Sequence, residues 1–532
     1  MEEQGAPGAA WQIGGGHTVR TGYFSNEADG LSGSGRWARL YEVTIDASGG
    51  RTLTMKEKYG KNELYVNETK DENWKEGDGK AGLIPEFKDK EDRVVLKRTW
   101  KDESTPLSTY YVYDDFGNLC FVLPPKAEPD NGQPSADAIN ELCYQYRYDE
   151  RNRMSRKKLP GKGWEYLVYN KLDQVVATQD AEQRKRKEWL ITKYDGLGRV
   201  VMTGFWNNGN VTISPEDLRT QVYATLQWDE RKTGQVYGYE LRTYPTSLTI
   251  VLTVNYYDDY EIPDLPAAYN KKDTYSKMIH SLLTASRTAV LNNPSDMLWN
   301  VNYYDDDGRV VKNFSEHYKG GTRVAGNYDE TDNTYSFTDE LKESSRSHKV
   351  GGTEQLKIVT GYDYDHRGRK VNTWETMGGS RVLLAQNVYN EIGQLKEKRL
   401  HSGDGGNTFL QKIAYKYNER GWLKQMNHPD SLSRERAFGM TLAYGDHSTE
   451  ARKQYNGNIS GVNWQTRVPA SSGFPQQSQS YDYSYDKLNR LELAAYNASG
   501  KTGFYNESIS YDKGGNIQSL SRTGEAAPGL MN

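Results

Sequence analysis

The sequence predicts an all-β protein: tandem Tyr-Asp hairpins forming a coiling β-sheet shell, cocoon- or solenoid-like, with one or two short helices in insertions. Three observations predict it. A Tyr followed by Asp or Asn recurs ten times in 532 residues. Each copy has a turn-permissive residue at one fixed offset. Neighbouring copies in the regular stretches also lie too close together to leave room for a helix.

The ten copies begin at Tyr113, Tyr148, Tyr169, Tyr194, Tyr304, Tyr364, Tyr389, Tyr417, Tyr485 and Tyr511. The next residue is Asp114, Asp149, Asn170, Asp195, Asp305, Asp365, Asn390, Asn418, Asp486 or Asp512. Four places after each Tyr stands Gly117, Asn152, Asp173, Gly198, Gly308, Gly368, Gly393, Gly421, Asn489 or Gly515. In several copies Arg follows, as at Arg199, Arg309 and Arg369. Nine copies then return to an apolar residue, from Leu119 and Met154 through Val175, Val200, Val310, Leu395, Leu423 and Leu491 to Ile517. The exception is Lys370, followed by Val371. Three weaker copies are expected: Tyr328-Asp329 with Asp332, a degenerate Tyr257-Asp258 with Glu261 in the glycine place, and Asp89 to Val94, which lacks its Tyr.

An Asp or Asn opening a turn can accept hydrogen bonds from the backbone ahead of it. Gly or Asn three residues later suits the left-handed position that closes the turn. The flanks alternate, as in Tyr111-Val-Tyr113 and Tyr362-Asp-Tyr364, which puts these tyrosines on one face of a strand. Each copy therefore reads as strand, tight turn, strand. Alanine at a turn glycine should cost about 1–2 kcal/mol. From Tyr148 to Tyr169 is 21 residues and from Tyr389 to Tyr417 is 28. Two strands of about 5–8 residues and two turns fill that length. Such hairpins bury their faces only against neighbours, and a long ribbon of them must curl, close or coil.

Seven segments follow. Residues 1–40 are Gly-rich and expected to be loose; 41–105 carry hairpins leading into the array; 106–205 form a repeat block. Residues 206–300 are an insertion, with Ser214-Pro215-Glu216-Asp217 announcing a short helix over 215–226 and a weaker helix signal near 274–283. Residues 301–423 form a second repeat block. Residues 424–480 are a hairpin and loop insertion with Asn456-Gly457 and a Ser/Gln-rich stretch from Ser471 to Ser480; 481–532 hold the terminal repeats and tail.

Composition narrows the function. Apolar residues make up 35% and mean hydropathy is −0.89, yet 40 Tyr, 12 Trp and 11 Phe need burial, which suits sheets wet on one face. The 68 Lys+Arg against 72 Asp+Glu leave a net charge of −4 and no basic stripe, so nucleic acid is not an expected partner. The cluster Arg184-Lys185-Arg186-Lys187 reads as a solvated turn. Cys120 and Cys143 read as two buried thiols unless neighbouring strands pair them. No signal peptide or membrane-spanning stretch is visible in the chain.

The runs YDGLGRVV (194–201), YDDDGRVV (304–311) and YDHRGRKV (364–371) resemble the rearrangement-hotspot (RHS), or YD-repeat, family. TYYVYDDFGNLCFVLPP (109–125), LLTASRTAVL (282–291) and YSYDKLNRLELAAY (483–496) resemble its Bacteroidetes-type members. The likeness covers roughly 85–520. It implies a secreted or cell-surface hollow shell that encapsulates a polypeptide, often a toxic C-terminal domain. Cargo-releasing members end in a core with a D-P-x-G signature; this sequence has no Asp-Pro, so an incomplete copy without core and toxin is expected. The expected partners are the remaining portion of the shell and its polypeptide cargo.

No catalytic, cofactor or metal constellation stands out. The histidines lack metal-ligand spacing, and His366 sits within a repeat turn. Ser499-Gly500-Lys501-Thr502 has the ending of a phosphate-binding loop but Ala495 replaces its leading Gly. Asp305-Asp306-Asp307-Gly308 has the look of a calcium loop without the bidentate Glu. No carboxylate pair stands apart from its repeated neighbours. The favoured reading is a non-catalytic shell. The alternative is a surface adhesin binding carbohydrate or protein, in which case Trp206, Trp464 and the loop of the 470s should expose an aromatic cluster.

Overall fold

The computed structural model describes residues 2–28, 33–47, 49–467, 477–498 and 504–524. Residues 471–476 of the Ser/Gln-rich stretch, Ser499 to Thr502 and the last eight residues lie outside these ranges. The chain forms two compact units. One comprises Met1–Lys162, Val388–Arg399 and Leu410–Asn532; the other comprises Gly163–Asn387 and Leu400–Phe409.

In the second unit an antiparallel meander runs from Glu165–Tyr169 to Ser380–Tyr389. Outside one insertion, every strand pairs with the next along the chain. The insertion follows Val200–Asn207 and holds the expected helix, Pro215–Ala224, with the Ser214 side chain accepting from the Asp217 N–H. That helix buries Leu218 and Val222 among Val168, Trp189 and Trp206. No helix forms near 274–283. Residues 258–282 instead cross one face of the sheet as a loop, sinking Tyr260, Ile262, Tyr269 and Ile279 into a cluster with Tyr256, Trp299, Tyr303 and Phe314. Two bonds pin this loop: the Tyr303 hydroxyl donates to the Tyr269 carbonyl at 2.5 Å and the Tyr269 hydroxyl to the Ala325 carbonyl at 2.7 Å. The basic cluster closes a six-residue helix, Ala181–Arg186, capped by Asp180.

In the first unit one ladder connects Glu2–Gln4, Val19–Ser25, Tyr65–Lys70, Ile84–Lys88, Val94–Trp100, Pro106–Tyr113, Leu119–Leu123, Tyr144–Tyr148 and Met154–Lys158. The segment expected to be loose is therefore partly ordered: within Val19–Ser25, Arg20 to Ser25 pair with Tyr65–Lys70, and Trp11 is buried. Gly8, Gly14 and Gly16 of this segment take positive φ in the turns between those pieces, which is why composition misled. The hairpin Arg39–Ile45 with Arg51–Lys58 packs Tyr41, Val43 and Leu53 against Phe87, Leu96, Tyr110 and Phe121. A second ladder runs from Gln411–Tyr417 to Ile517–Arg522. The N-terminal residues reach the turns of that ladder. Trp11 stands edge-on to Trp422 at 5.7 Å, Asn489 donates to Asp71 at 2.8 Å, and Lys126 pairs with Asp512 at 3.2 Å.

Candidate functional site

The repeat turns are built alike. In all ten copies the fourth residue after Tyr has positive φ, from 58° at Asn152 to 91° at Gly393. In the Tyr113 copy the Gly117 N–H bonds the Asp114 carbonyl at 2.9 Å and the Asp114 N–H bonds the Asn118 carbonyl at 2.9 Å; the strand register slips by one at Tyr113. That is a turn closed by a left-handed bulge, the geometry that matches the twist of paired strands.

The Asp or Asn that opens the turn holds it from inside. Its Oδ1 accepts the backbone N–H two and four residues ahead at Asp114, Asp149, Asn170, Asp195, Asp305, Asp365, Asn418, Asp486 and Asp512, at 2.8–3.1 Å. Where Arg follows the turn residue, its guanidinium closes on Oδ2: Arg153 on Asp149, Arg199 on Asp195, Arg309 on Asp305, Arg369 on Asp365 and Arg490 on Asp486, with Nε at 2.7–2.9 Å. The Arg369 side-chain bond and the two backbone N–H groups hold the Asp365 carboxyl down at about 2. In the Asp305 turn, Arg309 also meets Asp307 at 2.8 Å and Asp339 at 2.5 Å. The carboxylates that resemble a calcium loop thus surround a guanidinium.

The Tyr does what its position in the sequence did not disclose. Its hydroxyl donates to a backbone carbonyl one hairpin back, and that acceptor is the apolar return residue of the preceding repeat. Tyr148 reaches Leu119, Tyr194 reaches Val175, Tyr304 reaches Leu283, Tyr364 reaches Leu341, Tyr417 reaches Leu395, Tyr485 reaches Ile459 and Tyr511 reaches Leu491, at 2.7–3.0 Å. Tyr113 does the same to Val94 at 3.1 Å. These eight repeats are thereby bonded to their predecessors by a side chain as well as by strand pairing.

Turn and tyrosine bonds together place four further copies, of which those at Asp89 and Tyr257 were expected from the sequence. Asp89 accepts from the Glu91 and Arg93 N–H groups, with Asp92 at φ 62°, a complete turn with Lys88 in the Tyr place. The weak copy expected at Tyr328-Asp329 is not a turn, because Tyr328–Tyr335 is one continuous strand. The turn lies at Tyr335-Ser336, where the Ser336 hydroxyl accepts from the Thr338 and Glu340 N–H groups and Tyr335 donates to Val310 at 3.0 Å. Tyr257 reaches Val200 at 3.1 Å and Tyr444 reaches Leu423 at 2.9 Å, so both keep the Tyr while longer loops replace the turn.

Two buried polar anchors also escaped the sequence. Lys193, 1% exposed, donates to the Thr243 carbonyl at 2.8 Å, its hydroxyl at 2.7 Å and the Pro245 carbonyl at 2.6 Å, fixing the end of the helical insertion. Arg98, fully buried, bonds the Gly35 and Trp37 carbonyls, Ser108 and Asp130. Cys120 and Cys143 are buried and unpaired with each other, and burial pushes both thiols up to about 12. Trp206 is buried against Tyr244, and Trp464 stacks on Tyr481 at 5.7 Å. Among the described residues no helix is long and apolar enough to cross a membrane.

No family model and no curated protein matches the chain. Solved structures do. The crystal structure of TcdB2-TccC3 without its hypervariable C-terminal region aligns at TM-score 0.51 and 11% identity, over 91% of this chain and 22% of that one. The Photorhabdus luminescens Tc holotoxin pore aligns at TM-score 0.49 and 11% identity, over 92% of this chain and 23% of that one. The chain spans less than a quarter of either structure. At this identity the likeness to TcdB2-TccC3 concerns the fold: an antiparallel β architecture of toxin-complex proteins.

Proposed function

We propose that the chain is a non-catalytic wall segment of the rearrangement-hotspot type, which encloses or scaffolds a polypeptide cargo within a secreted, polymorphic-toxin-type protein. The observation that carries this reading is how the repeat side chains are used. The aspartates and arginines that could do acid–base chemistry are committed to turn backbones and to one another, and the tyrosines are committed to joining hairpins. A preorganised reactive site needs groups left over for a substrate; here the repeated groups serve continuity of the sheet. The fold shared with TcdB2-TccC3 agrees with that role, and the rest of the wall is the expected partner. Burial of Trp206 gives the adhesin reading no support.

The test uses an unfolded reporter polypeptide fused after Asn532 through a Gly/Ser linker and digested with proteinase K. Enclosure should slow cleavage of the fused reporter about tenfold relative to free reporter mixed with the chain, because cleavage then follows the open population. Equal rates for fused and free reporter, with the repeats themselves intact, would overturn the reading.

A further inference from the structure

Strand pairing gathers one group of imidazole and carboxylate side chains that chain spacing conceals. Among the described residues, His317, Asp329 and His348 each place a ligand atom within 4.8 Å of the others. All three belong to the second unit. Asp329 in Tyr328–Tyr335 stands directly opposite His348 in Leu341–Val350, so both side chains leave the same face of the sheet. That face is opposite to Phe314 and Tyr328, which lie in the aromatic cluster. His317 is brought alongside by the bond from its N–H to the Asn327 carbonyl at 3.1 Å. Asn327 is itself buried and accepts from the Gly351 N–H at 2.9 Å.

The hydrogen bonds orient the donors. His317 Nε2 lies 3.1 Å from the Lys349 carbonyl. A carbonyl only accepts, so Nε2 carries the proton and Nδ1 presents its lone pair. An imidazole held by a backbone carbonyl through its second nitrogen is the usual outer-sphere arrangement of a metal-binding histidine. His348 Nδ1 lies 2.7 Å from Asp329 Oδ1, and the two imidazoles stack at 4.6 Å, tilted by 19°. Around an ion about 2.1 Å from each donor, ligand atoms stand roughly 3.4 Å apart, so side-chain shifts of about an ångström close the site. Arg346 holds the other oxygen of Asp329 at 2.6 Å, so an ion would take Oδ1 in place of the proton that His348 Nδ1 now donates to it.

We propose that His317, Asp329 and His348 form a site for a divalent transition-metal ion of the Zn2+ class, completed by water. Two imidazoles and one carboxylate suit Zn2+, Ni2+ or Fe2+ and disfavour Ca2+. The bound ion would tie the segment just past Val310–Glu316 to the next two strands. His348 is 32% exposed and Asp329 19%, which leaves an entry path.

Calorimetric titration of the full chain, stripped with chelator and then given Zn2+, tests the site. One saturable step is expected, absent with Ca2+. His317→Ala and His348→Ala should each weaken it by at least about tenfold, with unchanged circular dichroism. Arg346→Ala should strengthen it, because it releases an Asp329 oxygen; weaker binding in that variant would count against the site. Absence of a saturable step, or equal binding in the His317→Ala/His348→Ala double variant, would overturn the proposal.

Discussion

Removing a single hydroxyl tests whether each Tyr joins its hairpin to the one before. In Tyr194→Phe the ring stays and the 2.8 Å bond to the Val175 carbonyl is lost. A hydrogen bond contributes about 0.5–1.5 kcal/mol net, and an acceptor left without its donor costs more the less water can reach it. Tyr194 is half-buried, so a cost of about 1–2 kcal/mol is expected. A chain of this length is not expected to unfold in a single step, so the effect is best read locally by hydrogen exchange. At 1.4 kcal/mol per tenfold, amides of Val175–Gln179 and Glu188–Tyr194 should exchange about 5–30 times faster. Tyr65, 62% exposed, is the control: Tyr65→Phe should stay within about 0.5 kcal/mol. Less than about a twofold change in the two strands for Tyr194→Phe would refute the reasoning. So would an equal change in the Tyr65→Phe control.

The acid that opens the turn separates its two oxygens by substitution. Asp365→Asn keeps an acceptor for the Arg367 and Arg369 N–H groups, as Asn170 and Asn418 do naturally, and loses only the Arg369 charge pair; Asp365→Ala also loses both backbone bonds and should speed exchange in Lys370–Met377 more than Asp365→Asn does. The Asp365 carboxyl is held at about 2, below its ordinary ~3.9. Its contribution is therefore whole above pH ~4 and lost as pH falls toward 2, and exchange at Lys370–Met377 should show that acid sensitivity in the native chain but not in Asp365→Asn. Gly308, at φ 79° with nothing nearer a new Cβ than Leu282 at 3.8 Å, should cost about 1–2 kcal/mol on change to Ala by conformation alone. Gly204→Ala should cost more, about 3 kcal/mol in chemical denaturation, because its Cβ would meet the Ile250 carbonyl oxygen at 2.3 Å. Cys120 and Cys143, with thiols pushed up to about 12 by burial, should resist a thiol reagent at pH 8 until the chain is unfolded.

The turns were legible because everything that makes them is local: the acceptor at Asp195, the left-handed Gly198 and the closing Arg199 fall within five residues. The acceptor of the Tyr194 hydroxyl was not, because Val175 lies one hairpin away and offers only its backbone. Local reading also failed where chemistry was conserved by a different residue. Ser336 accepts the same N–H groups as an Asp, so a pattern written in Tyr and Asp misses that turn and misplaces its copy at Tyr328, whereas the Asp89 turn stayed legible through its Asp although Lys88 takes the Tyr place. The helix Ala136–Leu142, capped by Ser135, is too short to show a helical period. The segment near 274–283 carries helix-compatible residues but is held as loop beneath Tyr269 and Tyr303. The His317, Asp329 and His348 group shows no spacing signal, since strand register rather than sequence separation brings it together.

Neutron scattering with contrast variation, on the chain carrying a deuterated unfolded reporter after Asn532, measures enclosure directly through the distance between the two centres of scattering mass. Enclosure predicts a separation smaller than the chain's own radius of gyration. A separation larger than that radius, with the repeat sheet intact, would contradict it.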